Sequence, residues 1–328
     1  MNNVLVLFET NPVFRQELTK ILSGYRIIFN EGSSTRSIDE ETAGNIAIIF
    51  GNPHIDLLKR CHRLEWLQLK TAGANQYVNG ALKQTVMLTC ATGSYGLAVS
   101  EHMVGLTFEL FKKLHLYRDE QSHGRWQNRG TVKSIQGAKI LVVGLGDIGA
   151  GYARRMKALG AYIIGVRRTA HSKQPCYVDE LFPVEQLDKA IPQADVIALA
   201  VPETKETIGL INRPRLEKMK KEAVIINAGR GSAIDTEALC DALEAGVLGG
   251  AGLDVTDPEP LPPGHRLWKL ENAVITPHIS GGANLPETVQ YILRLCLENA
   301  SRFVKGQALK SRINYETGYC FSEDFTQE

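Results

Sequence analysis

Short apolar runs alternate with amphipathic stretches along almost the whole chain, and that rhythm predicts its architecture. Residues 4–8, 26–29, 46–50, 64–69 and 86–89 are compact apolar runs, the pattern of parallel strands buried on both faces. Between them, residues 12–22 have helical spacing, and a second helix is expected near 55–61. A long helical pattern follows at 99–121, with Met103, Leu106, Leu110 and Leu114 on one face, and then a polar, loop-like segment at 122–134. The rhythm then resumes, with strands expected at 139–143, 161–166, 195–200, 223–227, 249–255 and 274–276 and helices at 148–159, 213–219 and 236–245. A last helix at 286–306 carries Val289, Ile292, Leu293, Cys296 and Leu297, and is placed to return to the first domain. Strands and helices in alternation give an α/β fold with two doubly wound parallel-sheet domains.

Composition narrows the class of protein. A chain of 328 residues suffices for about two domains, each with its own core. Lys and Arg number 37 against 36 Asp and Glu, and no basic block is long, so there is no electrostatic case for a nucleic-acid partner. No run approaches the roughly 18 apolar residues that a membrane span requires. Residues 1–14 hold one short apolar run with no basic segment before it, which reads as a first strand rather than a signal peptide. Cys61, Cys90, Cys176, Cys240, Cys296 and Cys320 are scattered without a C-x-x-C pair, the usage of a cytoplasmic protein with reduced thiols and no metal.

The first chemistry lies where the strand at 139–143 ends, in Gly144-Leu145-Gly146-Asp147-Ile148-Gly149. A G-x-G-x-x-G run between a strand and a helix, with a second strand beyond, is a dinucleotide fingerprint. Gly144 permits the tight turn, Gly146 lets a pyrophosphate approach the backbone, and Gly149 lets the helix pack closely on the strand. The helix N-terminus offers its unpaired N–H groups to the phosphates. An acidic residue at the end of the second strand would bind the ribose 2′-hydroxyl of NAD. Here Arg167, Arg168 and Thr169 stand at that edge, and two guanidinium groups with a hydroxyl suit a 2′-phosphate instead. NADP is therefore favoured over NAD. In the first domain, the loop from Lys70 to Asn75 follows a strand and so lies at the carboxyl edge, where such sheets bind ligands. Taken alone, it reads equally well as a plain turn.

Hydride transfer to a carbonyl needs a cation for an anionic substrate, a proton donor, and a partner that tunes the donor. Arg230, Glu259 and His278 each follow a strand late in the second domain and would converge on its carboxyl edge. A glutamate beside His278 would fix its tautomer and favour the protonated ring, so that it can donate a proton near neutral pH. The other histidines (His54, His62, His115, His123, His171 and His265) lack metal spacing. Glu101 and His102 read as a solvated or packed pair on the long helix, and Trp126 and Trp268 as packing at the domain junction.

These motifs, with Asn227-Ala228-Gly229-Arg230-Gly231, the run from Asp254 to Pro260, and Pro277-His278-Ile279-Ser280-Gly281, are identified as those of the D-isomer-specific 2-hydroxyacid dehydrogenase family. The resemblance spans about residues 4–306. It implies a Rossmann dinucleotide-binding domain (99–283) inserted into a discontinuous, flavodoxin-like substrate domain (1–98 with 284–328). By the same resemblance, His278 is the acid/base, Glu259 its partner, and Arg230 the ligand of the substrate carboxylate and carbonyl. Ala72 and Gly73 resemble the family's backbone clamp for that carboxylate, and Asp254 the residue that holds the nicotinamide carboxamide. Val201, Pro202, Ala228, Gly229, Ser280 and Gly281 would line the cofactor. The activity implied is reduction of a small 2-oxo acid to the D-2-hydroxy acid with NAD(P)H, in a homodimer. Arg167 in place of the family's usual aspartate resembles the NADP-preferring glyoxylate and hydroxypyruvate reductases. The alternative is a dinucleotide-sensing binding protein of the corepressor type, which shares this fold and these residues.

Overall fold

The computed structural model describes residues 1–32, 37–168, 174–282, 284–318 and 320. Its elements run β1 (Asn3–Val6), α1 (Pro12–Ile21), β2 (Arg26–Phe29), α2 (Glu40–Gly44), β3 (Ile46–Phe50), α3 (Ile55–Arg60), β4 (Trp66–Gln68), α4 (Asn75–Val78) and β5 (Met87–Thr89). They continue with α5 (Gly96–Lys112), α6 (Leu114–Ser122), β6 (Lys139–Val143), α7 (Asp147–Ala158), β7 (Tyr162–Arg167), β8 (Glu180–Pro183), α8 (Leu187–Ala190), β9 (Val196–Leu199) and α9 (Arg213–Glu217). Last come β10 (Val224–Asn227), α10 (Thr236–Glu244), β11 (Gly250–Leu253), β12 (Ala273–Ile275) and α11 (Pro286–Val304). The chain divides into two units, Met1–Tyr95 with Leu285–Glu328, and Gly96–Asn284. Among the described residues no helix is long and apolar enough to cross a membrane.

The first unit is built on a five-stranded sheet of order β2-β1-β3-β4-β5, parallel at every pairing. One face packs Leu5, Ile49, Leu67 and Leu88 against Leu57, Leu58 and Tyr77. The other packs Val4, Val6, Ile48 and Trp66 against Phe14 and Leu18 of α1 and Leu293, Cys296 and Ala300 of α11. The strands read as continuous apolar runs because both faces are covered. A buried polar chain ties α11 to the sheet. The Asn299 amide donates to Gln68 Oε1 at 2.8 Å, the Thr89 hydroxyl donates to the same oxygen at 2.8 Å, and the Trp66 indole donates to Thr89 at 2.8 Å.

The second unit carries a seven-stranded parallel sheet of order β12-β11-β10-β9-β6-β7-β8. Counted from β6 as the first strand, this is the doubly wound dinucleotide order with one strand added beyond the sixth. Six strands are expected from the sequence, and the seventh is β8, at the sheet's edge. Its four residues are only half-buried and end on Pro183, a proline that an edge strand tolerates. The single helix expected at 99–121 is two. Lys113 stands between them with φ 55°, its ammonium bonded to the Arg129 carbonyl at 2.7 Å. The expectation that Trp126 packs is also corrected, because its side chain is fully exposed; Trp268 is about half exposed.

Candidate active site

The fingerprint forms the turn from β6 into α7. Gly144 has φ 93°, and a Cβ there would meet the Ala200 carbonyl at 2.5 Å. At Gly149 a Cβ would stand 1.8 Å from the Gly144 carbonyl oxygen, so the helix touches the strand's end backbone to backbone. Around Gly146, by contrast, a Cβ would meet nothing within 4 Å. That open space lies over the first turn of α7, whose N-cap, Gly146, has no side chain to occupy the helix amides. The three glycines thus make a tight turn, a close contact and an open face, which fits a pyrophosphate. Ile148 is half-buried in that first turn. Asp147 turns its carboxylate toward the start of α5, where a Cβ on Gly96 would come within 2.1 Å of it.

At the next strand's end, Arg167 is the last residue of β7, half-buried, and Arg168 follows it, exposed. Thr169 lies outside the described residues. Val201 and Pro202 follow β9, with the Pro202 carbonyl accepting from the Thr207 hydroxyl at 2.7 Å.

Three further loops are brought to one level by strand register. Asn227 of β10 pairs with Leu253 of β11, which pairs with Ile275 of β12. Because these strands are parallel neighbours, the loops leaving them all begin at the same carboxyl edge. The loop after β10 is framed by Asn227, whose side chain accepts from the Gly229 amide at 3.0 Å and donates to the Arg230 carbonyl at 2.9 Å. Ala228 is buried at its start, and the half-buried Arg230 guanidinium donates to the Gly229 carbonyl at 2.7 Å. The loop after β11 is braced by the Thr236 hydroxyl, which donates to the Asp257 carbonyl at 2.9 Å. It presents Glu259, and the turn after β12 presents His278. Their side chains meet, with Nδ1 of His278 2.6 Å from Oε1 of Glu259, each a little under half exposed.

Carboxylates only accept, so Nδ1 carries the hydrogen of that bond and Nε2 is left for proton exchange. His278 has φ 52°, a left-handed conformation that persists where its surroundings over-determine it. Here its amide donates to the Asp254 carbonyl at 2.8 Å.

Asp254 is the hub of the turn after β12. Its carboxylate is almost fully buried and accepts from the Thr276 hydroxyl at 2.6 Å, the Ile279 amide at 3.0 Å, the Ser280 amide at 3.1 Å, and the Ser280 hydroxyl. Burial opposes ionisation of this carboxyl. The hydrogen bonds from Ser280, Thr276 and the two amides outweigh it and hold the pKa below the usual carboxylate range. Gly281 follows Ser280 in the same turn. Sequence reasoning missed two residues of this network. Thr276 is one, and the other is His102, whose Nε2 lies 2.9 Å from the Thr276 hydroxyl oxygen. A histidine on a helix gives no sign of a partner 174 residues away.

In the other unit, Ala72 and Gly73 are half-buried in the loop after β4. That loop has its own brace, also missed from sequence. Asn52 accepts from the Lys70 amide at 3.0 Å and donates to the Thr71 hydroxyl at 2.8 Å, while Thr71 donates to the Gly73 carbonyl at 2.9 Å. The Tyr95 hydroxyl donates to the Lys70 carbonyl. Tyr77, further along, is fully buried and bonded to the Pro53 carbonyl, a core residue.

Comparison with known proteins places this arrangement. The family profile described as D-isomer specific 2-hydroxyacid dehydrogenase, NAD binding domain, matches residues 104–280. A glyoxylate reductase of Thermofilum pendens is 34% identical over 244 residues, 72% of this chain and 70% of that protein. A glyoxylate reductase/hydroxypyruvate reductase of Mus musculus is 30% identical over 276 residues, 78% of this chain and 83% of that protein. The solved structure of a D-isomer specific 2-hydroxyacid dehydrogenase family protein from Aeromonas salmonicida superposes with a TM-score of 0.83 at 31% identity, covering 96% of this chain and 99% of that one. A probable 2-hydroxyacid dehydrogenase from Rhizobium etli, solved with NADP, HEPES and L(+)-tartaric acid, gives 0.78 at 25% identity, covering 97% and 100%. With the profile matching over half the chain and these relatives over most of it, the protein belongs to the D-isomer-specific 2-hydroxyacid dehydrogenase family.

Proposed function

We propose that this protein reduces a small 2-oxo acid to the D-2-hydroxy acid, with NADPH preferred to NADH and His278 as the acid/base. The observation that carries the reading is the 2.6 Å contact between His278 Nδ1 and Glu259 Oε1, on the same sheet edge as the fingerprint. The pyrophosphate would lie over Gly146 and the first turn of α7, the 2′-phosphate at Arg167 and Arg168, and the nicotinamide end beside Ala228, Asp254 and Ser280. When bound, the cofactor supplies the hydride. The chain supplies the rest. Arg230 offers a guanidinium to the substrate carboxylate and to the carbonyl oxygen, where charge develops. Protonated His278 gives its Nε2 proton to that oxygen, and Glu259 steadies the imidazolium and its orientation. In the reverse direction the neutral ring takes the proton back.

The names of the relatives put glyoxylate and hydroxypyruvate first among the acids to try, and the Rhizobium etli protein was solved with NADP. The test is a steady-state assay of a panel of 2-oxo acids with each cofactor. Turnover of at least one acid, faster with NADPH, is expected. No turnover on any acid with cofactor binding intact would make the protein a dinucleotide-sensing binding protein instead. Replacing Arg167 and Arg168 together by alanine should raise KM for NADPH about 10- to 100-fold, since a charge-assisted bond is worth about 1.5–3 kcal/mol, and leave KM for NADH within about threefold. Equal loss for both cofactors would remove the two arginines from the 2′-phosphate site.

A further inference from the structure

We infer that His102 is a positioning residue for the catalytic turn, acting through the Thr276 hydroxyl on Asp254; the role rests on the hydride-transfer reading above. The argument is one of hydrogen counting. Thr276 Oγ1 lies 2.6 Å from Asp254 Oδ1, and an ionised carboxylate can only accept. The one hydroxyl hydrogen of Thr276 is therefore spent on Asp254. His102 Nε2 lies 2.9 Å from the same hydroxyl oxygen, so the ring must be the donor and Nε2 must carry hydrogen. The tautomer of His102 is fixed by a carboxylate that it touches only at 3.7 Å.

The result is a directed chain in which the imidazole N–H donates to the hydroxyl and the hydroxyl donates to the carboxylate. Each donation strengthens the next in a buried setting. The chain ends on the group that organises the turn. The Asp254 carboxylate takes the Ile279 and Ser280 amides, and its backbone carbonyl takes the amide of His278, which sits in a left-handed conformation. His102 enters from α5, which packs on β10 and β11, so a helix outside the motifs helps to set the aim of the acid/base. His102 and Thr276 act through Asp254 and not on the reacting atoms, which makes His102 a positioning residue and not a catalytic one.

The test uses three single variants and one double, with turnover and amide exchange as readouts. His102→Leu should lower kcat about tenfold with KM for the 2-oxo acid within about threefold, and should speed hydrogen exchange at the Ile279 and Ser280 amides about tenfold. His102→Gln, which can place an amide N–H near the position of Nε2, should return both to within about threefold of wild type. Thr276→Val should reproduce the leucine variant, and the double variant should be no worse than either single, because the two act as one relay. Wild-type turnover and exchange in His102→Leu would overturn the inference. So would a glutamine variant as impaired as the leucine one, or losses that multiply in the double variant. The exchange measurement needs no substrate. A wild-type enzyme without turnover would sink the proposed function, while the amide protection would still decide the role of His102.

Discussion

Alanine at position 278 is expected to cut turnover of the 2-oxo acid by about two to four orders of magnitude, with affinity for NADPH within about threefold of wild type. The loss traces to one nitrogen. Glu259 holds the hydrogen on Nδ1, so under the proposed mechanism Nε2 would give and take the substrate proton, and alanine has nothing in its place. The backbone adds a second consideration. Position 278 has φ 52°, a region that costs most residues about 1–2 kcal/mol but that asparagine enters readily. His278→Asn therefore preserves the turn while offering no acid or base of useful strength. Equal losses in the alanine and asparagine variants, measured by single-turnover reduction, assign the effect to proton transfer. Near-full activity in either would remove His278 from that role.

The other large effect is expected at Gly149, and it falls on folding before chemistry. A methyl group there would stand 1.8 Å from the Gly144 carbonyl oxygen and 3.3 Å from Val142 Cγ1. The nearer atom belongs to the backbone, so no rotamer change relieves the clash, and α7 must lift from the end of β6. Overpacking of this kind costs about 1–3 kcal/mol, and a backbone obstacle places Gly149→Ala at the upper end, about 3 kcal/mol by urea unfolding. The displaced helix would also weaken NADPH binding about tenfold or more, because its first-turn amides no longer face the phosphates. Gly146→Ala separates the two effects. Its added methyl meets nothing within 4 Å, so stability should be unchanged while cofactor affinity falls. A wild-type urea midpoint for Gly149→Ala would contradict the packing described for the fingerprint.

The legible parts of this protein are those whose cause is local. Strands buried on both faces must be apolar without interruption, and β3, β6 and β10 stand out in the sequence for that reason. Arg230, Glu259 and His278 are legible as a group because each follows such a strand, and parallel register then puts their loops on one edge. What escaped depends on distant partners. The spacing of Met103, Leu106, Leu110 and Leu114 runs through the break at Lys113, which is held by the Arg129 carbonyl rather than by any helix-stopping residue. β8 escaped because an edge strand needs neither length nor an apolar run. His102 reads with Glu101 as a solvated or packed pair on its helix, and only the fold sets it beside Thr276.

The route of the chain also bears on how it is made. α11, whose Leu293, Cys296 and Ala300 complete one face of the first sheet, leaves the ribosome after all of Gly96–Asn284. Until then Val4, Val6, Ile48 and Trp66 have no cover from it, and Gln68 lacks the Asn299 amide. The inner unit has every strand of its sheet before residue 284 and can close while synthesis continues. Vectorial folding is thus expected to be inverted here, with the first unit finishing after the inner one. Nascent chains stalled near residue 284, outside the exit tunnel and challenged with protease, should show the inner unit protected and the first 95 residues digested. Protection of both would mean that the first sheet closes without its returning helix.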